Sequence, residues 1–233
     1  MSTIAHNLQD VANQIVSAAQ DAGRAPETAR LLAVSKTFGA DAVQEAVAAG
    51  QRAFGENYLQ EGLDKIRALA EALPAAELEW HFIGPIQSNK TRPIAENFAW
   101  VHTVEREKIA QRLSEQRPAG LAPLNICLQV NISGEASKSG VTPAELPALA
   151  RAVAALPNLK LRGLMAIPEP EEDFERQRAA FAQLRQLYEQ LRTDGFALDT
   201  LSMGMSADLR AAVFEGATIV RVGSAIFGAR HYA

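Results

Sequence analysis

Residues 199–228 read DTLSMGMSADLRAAVFEGATIVRVGSAIFG. Two short apolar runs, at 199–201 and 218–222, are each followed by a glycine-containing loop and a helical pattern. The first predicted helix covers 206–215, and the second is a short turn near 224–228. Short apolar strands bounded by helix are what a parallel sheet covered on both faces requires. The same unit repeats upstream. Predicted strands at 31–34, 53–55, 81–83, 98–101, 124–130 and 159–165 alternate with helices at 41–49, 57–73, 88–96, 105–116, from 142 onward, and within 171–193. The helix after the fifth strand opens with Thr142-Pro143-Ala144-Glu145, a capping box with proline at the first helical position, although Pro147 argues for a later start. Ahead of these units, Ile4, Leu8, Val11, Ile15 and Ala18 share one face of a helix within 1–24. Eight strand–helix units predict a closed α/β barrel of the (β/α)8 TIM type, with an extra N-terminal helix packed on it. An open doubly wound sheet is the competing arrangement. No linker, low-complexity stretch or composition shift divides the chain, so a single domain over 1–233 is expected.

Composition narrows the function classes. Apolar residues make up 48% of the 233, enough for a substantial core. Lys plus Arg number 23 against 27 for Asp plus Glu, a formal charge of −4, which disfavours a general nucleic-acid binder. A local basic site for a phosphorylated small molecule stays compatible with it. The N-terminus lacks a signal-peptide pattern and no apolar run reaches membrane-spanning length, so a cytoplasmic protein without membrane partners is expected. The one cysteine, Cys127, lies in the run LNICLQV and reads as a buried strand thiol. The histidines at 6, 81, 102 and 231 show no paired ligand spacing, so no metal is expected.

In a barrel the active face lies at the C-terminal ends of the strands. Polar residues gather there: Ser35-Lys36 after the first strand, Glu56-Asn57 after the second, and Asn131 after the fifth. Ser202-Met203-Gly204 follow the seventh, and Gly223-Ser224 follow Arg221 and Val222 of the eighth. Barrels often hold phosphate in the loops after strands seven and eight. Gly204 and Gly223 would let the backbone approach an anion, and Ser206 and Ser224 sit where helix N-caps would be. Each serine on its own reads first as a plain cap, and only the occurrence of both motifs after the expected two strands favours phosphate. Asp208 would compete for the same amides, which favours main-chain contacts from the loops over a whole-helix site.

Lys36 directly follows the apolar run 31–34. It reads either as a partly desolvated amine able to attack an aldehyde or as a strand-end lysine reaching water. Arg221, inside an apolar strand, needs an acceptor, which is either a neighbouring carboxylate or a ligand ring nitrogen. Asn57 either bonds a ligand or caps its helix; His81 and His102 read as core or rim histidines, Met203 and Met205 as packing, and Lys138 as solvated. A lysine amine, a phosphate cradle and an arginine at a ring nitrogen together describe a site for pyridoxal 5'-phosphate.

The segments VSKTF, FGEN, WHFIGPIQSNK, VNISGEASKSG, GLMAIP, LSMGMSADLRAAV and VRVGSAIFG resemble, in order, the pyridoxal phosphate homeostasis protein family. They span 34–228. The resemblance implies a fold-type III barrel like the N-terminal part of alanine racemase, an internal aldimine at Lys36, and Arg221 facing the pyridine nitrogen. It implies a cofactor-binding set of Lys36, Asn57, Ser202, Met203, Gly204, Ser206, Arg221, Gly223 and Ser224. It also implies a non-catalytic carrier of pyridoxal phosphate and other B6 vitamers, able to pass them to recipient apoenzymes. One departure is Phe38-Gly39 where many members carry Lys-Pro. A chain ending soon after Arg221 leaves no room for the additional domain from which alanine racemase draws its second base, so a monomer without turnover is expected. An amino-acid racemase is the alternative; a Schiff-base aldolase is a further rival.

Overall fold

The computed structural model describes residues 2–134 and 139–229. Eight parallel strands close into a barrel in sequence order. They are β1 (Arg30–Val34), β2 (Ala53–Glu56), β3 (Glu79–Phe82), β4 (Trp100–Val104), β5 (Leu124–Gln129), β6 (Leu159–Met165), β7 (Thr200–Ser202) and β8 (Ile219–Val222). The helices are α1 (Thr3–Asp21) before the barrel, then α2 (Ala40–Ala48), α3 (Leu59–Ala72), α4 (Thr91–Asn97), α5 (Glu107–Gln116), α6 (Leu146–Ala154), α7 (Phe174–Thr193), α8 (Leu209–Phe214) and α9 (Ser224–Phe227). The ring shuts where β1 pairs with β8, with Leu32 opposite Arg221 and Ala33 opposite Val222. The open doubly wound alternative is thereby excluded.

The two-residue strand period divides each strand between two cores. Leu32, Val34, Ile83, Trp100, Cys127, Met165 and Ile219 pack inside the barrel. Ala33, Phe54, Phe82, Val101, Leu164, Val220 and Val222 face the helix layer. Cys127 is fully buried, as its setting in the sequence suggested.

Helix α8 has six residues and α9 four, too little surface to cover the β7–β8 flank. Helix α1 packs against both and buries Leu8, Val11, Ile15 and Ala18. Asn7 Nδ2 donates to the Ile226 carbonyl at 2.9 Å, and the Arg24 guanidinium donates to the carbonyls of Val213 and Ala217. The ring of Phe38, after β1, stacks on Phe227 of α9 at 5.3 Å, which ties the first unit to the last.

Several boundaries differ from the sequence reading, and those of β4, α6, α8 and α9 bear on the argument. Strand β4 runs Trp100–Val104 instead of 98–101, because its far half is polar yet buried: His102 and Thr103 stay within 7% exposure. Helix α6 begins at Leu146, with Pro147 in its first turn. The Thr142–Glu145 capping pair exists, with Thr142 Oγ1 2.6 Å from Glu145 Oε2, but it closes a turn ahead of the helix. Helix α8 starts at Leu209 with Asp208 as its N-cap residue, and α9 has Gly223 in that position. Neither Ser206 nor Ser224 is therefore an N-cap.

Candidate functional site

A cavity of about 260 Å³ lies at the C-terminal ends of the strands. Its wall includes Lys36, Asn57, Ser206, Arg221, Gly223 and Ser224. Lys36 is there because strand parity carries on past β1: Leu32 and Val34 face the barrel interior, and Lys36 follows at the same spacing, half-buried. Ser35, of opposite parity, points outward into a buried cluster. Its hydroxyl donates to Glu56 Oε1 at 2.6 Å. Lys65, from α3, donates to the Ser35 carbonyl at 2.6 Å, to Glu56 Oε1 at 2.8 Å and to Glu61 Oε1 at 2.5 Å. Glu61 Oε1 also accepts from the Thr37 amide, and Thr37 takes the left-handed φ of 68°. Both neighbours of Lys36 are thus tethered to α3. Desolvation raises the Glu56 carboxyl above its usual range, against the pull of Lys65. Sequence reasoning missed Glu56, Glu61 and Lys65 as supports; the charged residues at i and i+4 on α3 were the available signal.

Arg221 is 4% exposed and forms the inner wall of the cavity. Its guanidinium donates to Ser202 Oγ at 2.7 Å and to the Ala166 carbonyl at 3.2 Å. These acceptors are a hydroxyl and a backbone oxygen, not the neighbouring carboxylate that one reading of the sequence offered. Burial lowers its pKa to about 10, with Asp208 opposing.

Asn57 sits beside α3, whose N-cap residue is Tyr58, so it does not cap the helix. Among the described residues its Oδ1 is buried without a hydrogen-bond partner. Its backbone is fixed by Gly84: a Cβ there would lie 2.0 Å from the Asn57 carbonyl oxygen.

Ser202, Met203 and Gly204 do not reach the cavity wall. The Ser202 hydroxyl is engaged inside the barrel by Arg221 and by His102 Nδ1 at 2.7 Å. Met203 is fully buried in the outer core. Gly204 serves the turn, with φ +95° and a hypothetical Cβ 2.6 Å from Ala212 Cβ. From the loops after β7 and β8 the cavity is lined by Ser206, Ala207, Gly223 and Ser224. Asp208 Oδ1 accepts from the Met205 amide at 2.6 Å, the competition its position suggested. Helices as short as α8 and α9 add little dipole, so individual loop amides are what an anion would meet here. Lys138 lies outside the described residues.

His81 and His102 are fully buried in the barrel interior, as core histidines. His81 Nε2 lies 2.8 Å from Glu79 Oε1, and His81 Nδ1 lies 2.8 Å from His102 Nε2. Among the described residues no group of three His, Cys, Asp or Glu side chains is placed to hold a metal, and no helix is long and apolar enough to cross a membrane.

The barrel has counterparts among known proteins. Residues 2–231 match the family model of the alanine racemase N-terminal domain. The chain also belongs to the pyridoxal phosphate homeostasis protein family. A member from Pseudomonas aeruginosa is 68% identical, covering all of this chain and 98% of that protein, and one from Escherichia coli K12 is 57% identical over all of this chain and 99% of that protein. The structure of PipY from Synechococcus elongatus with PLP bound superimposes with a TM-score of 0.84 at 36% identity, over 97% of this chain and 100% of that one. Alanine racemase from Corynebacterium glutamicum shares the fold alone, with a TM-score of 0.68 at 21% identity; the match covers 96% of this chain and 59% of that one.

Proposed function

We propose that this protein binds pyridoxal 5'-phosphate, covalently through Lys36, and serves in the intracellular holding and delivery of vitamin B6 without catalytic turnover. The observation that carries the reading is that Lys36 and Arg221 line one cavity together with Ser206, Ala207, Gly223 and Ser224 of the loops after β7 and β8. The residues fit the group. Lys36 offers an amine to its aldehyde, and Arg221 offers N–H donors to its ring nitrogen. The buried, unpartnered Asn57 Oδ1 awaits a donor, and Ser206, Ala207, Gly223 and Ser224 line the space where loop amides would meet its phosphate. When bound, the cofactor supplies an electrophilic carbonyl and an aromatic ring able to withdraw electrons.

Two features of the chain support holding over turnover. Arg221 is a donor that stays charged, so it disfavours protonation of the ring nitrogen and mutes electron withdrawal. Racemisation needs an acid or base on each face of the substrate carbon. Among the described residues on the cavity wall, the ionisable side chains are Lys36 and Arg221. Other B6 vitamers as ligands, recipient apoenzymes, a monomeric state and a cytoplasmic location belong to the same reading.

The decisive experiment is the visible spectrum of the purified protein, wild type against Lys36→Ala, followed by the mass of the borohydride-reduced product. We expect a yellow wild type that bleaches on reduction with the cofactor attached at Lys36, and no adduct in the variant. A colourless wild type that takes up no added pyridoxal phosphate would overturn the proposal. Racemisation or transamination of amino acids at about 1 s⁻¹ or faster would overturn the non-catalytic part.

A further inference from the structure

An unbroken hydrogen-bond chain crosses the barrel interior, from the N-terminal mouth to the cavity wall. Its members are Glu79 and His81 of β3, His102 of β4, Ser202 of β7 and Arg221 of β8. The contacts are 2.8 Å for Glu79–His81, 2.8 Å for His81–His102, 2.7 Å for His102–Ser202 and 2.7 Å for Ser202–Arg221. The chemistry of its ends fixes its direction. An arginine only donates, and an ionised carboxylate only accepts. Arg221 donates to Ser202 Oγ, so the Ser202 proton is free to point to His102 Nδ1. His102 then carries its proton on Nε2 and gives it to His81 Nδ1, and His81 in turn donates from Nε2 to Glu79. Both imidazoles are then neutral Nε2–H tautomers, and each contact in the chain pairs one donor with one acceptor. Glu79 is 37% exposed and is also bonded by Arg30 at 2.9 Å, so the chain ends at a surface carboxylate that holds its position.

We propose that Glu79, His81 and His102 are positioning residues for Arg221. Anchored on the Glu79 carboxylate, they hold the Ser202 hydroxyl turned as an acceptor and so fix the guanidinium at the cavity wall. Reverse the orientation of any member and His102 donates to Ser202 Oγ, so the buried Ser202 proton loses its acceptor and either stays unpaired or turns toward Arg221, a donor facing a donor. In the second case the buried cation keeps only the Ala166 carbonyl among the hydrogen bonds described above, at 3.2 Å. The acceptor oxygen at position 79 is what matters, which separates this role from a plain ion pair with Arg30. For its effect on the cofactor, the proposal rests on the function given above.

The test has one arm without cofactor and one with it. In the ligand-free protein, long-range ¹H–¹⁵N spectra of the imidazoles should show His81 and His102 as Nε2–H tautomers. Glu79→Gln keeps an acceptor oxygen and should preserve both tautomers, whereas Glu79→Leu should shift that of His81. With pyridoxal 5'-phosphate added, Glu79→Leu and Ser202→Ala should each weaken binding about fivefold or more and move the visible band of the bound cofactor. Glu79→Gln and Ser202→Thr should restore both. Nδ1–H or doubly protonated histidines in the wild type would overturn the inference. So would unchanged binding and band position in both Glu79→Leu and Ser202→Ala. A wild type with the expected tautomers that takes up no cofactor would sink the functional reading while leaving the chain of bonds intact. Ser202→Ala breaks the chain from the far end, so a misfolded Glu79→Leu leaves the proposal open to refutation.

Discussion

Lys65 Nζ donates to the carbonyl oxygen of Ser35 at 2.6 Å, from inside the wall between α3 and the barrel. The residue that follows Ser35 is the candidate cofactor lysine. A buried ammonium is therefore spent on holding the backbone that presents a second lysine to the cavity. Removing one partner of such a buried pair leaves the other charge uncompensated, typically at about 3–5 kcal/mol. Lys65→Met should lower the unfolding free energy by about that much, read from urea denaturation. Pairing it with Glu56→Gln should recover a good part of the loss. If Lys65→Met costs under about 1 kcal/mol, the clamp is not structural.

Acid should weaken the fold across a defined window. Burial lowers the His81 pKa to about 4 and holds His102 well below its ordinary value. Between about 6.5 and about 4 the unfolded chain takes up protons that the folded chain refuses, so stability falls as pH falls. For His81 the full loss is on the order of 3 kcal/mol. Glu79, held near a pKa of about 2 chiefly by its hydrogen bond to His81, adds a further loss from about 4.5 downward. Glu56 runs the other way, because its raised pKa favours the folded state as acid is added. Urea midpoints measured from pH 7 to pH 4 should decline; a flat profile would contradict neutral buried histidines.

Gly84→Ala should disturb the site through Asn57. The added methyl would fall 2.0 Å from the Asn57 carbonyl oxygen, so the backbone must move. A stability loss of about 1–3 kcal/mol is expected, together with weaker uptake of pyridoxal phosphate by spectroscopic titration. Gly120→Ala, where no atom lies within 4 Å of the added carbon, is the matched control and should change neither.

Cys127 should resist alkylation in the native protein. It is fully buried, and desolvation pushes its thiol up to about 12, so almost no thiolate forms at neutral pH. Iodoacetamide should label it only after unfolding; rapid labelling of the native chain would show the barrel interior to be open.

The barrel was legible because its outward-facing strand residues are apolar and its helices carry clear periodicity. What the sequence hid is the inside. β4 was read short because His102 and Thr103 look like loop residues until the partners from β3 and β7 are in place. Lys36 and Arg221 could be singled out because a charge at an apolar strand is conspicuous on its own. Ser202 reads as a cofactor contact, since nothing in a linear sequence shows that its hydroxyl meets a histidine one hundred residues away. The Lys65 cluster escaped for a related reason: its partner at Ser35 is a backbone oxygen, which no side-chain pattern records.

The β1–β8 seam carries one more consequence. Lys36 follows the first strand and Arg221 lies in the last, so the two meet only when the ring closes. Bringing together groups so far apart in sequence costs loop-closure entropy before any contact repays it. A chain still emerging from the ribosome, lacking its final strand, cannot assemble both halves of the pocket. The yellow colour expected of the loaded protein would then certify a completed fold, and a growing polypeptide would not sequester the vitamin before its own maturation.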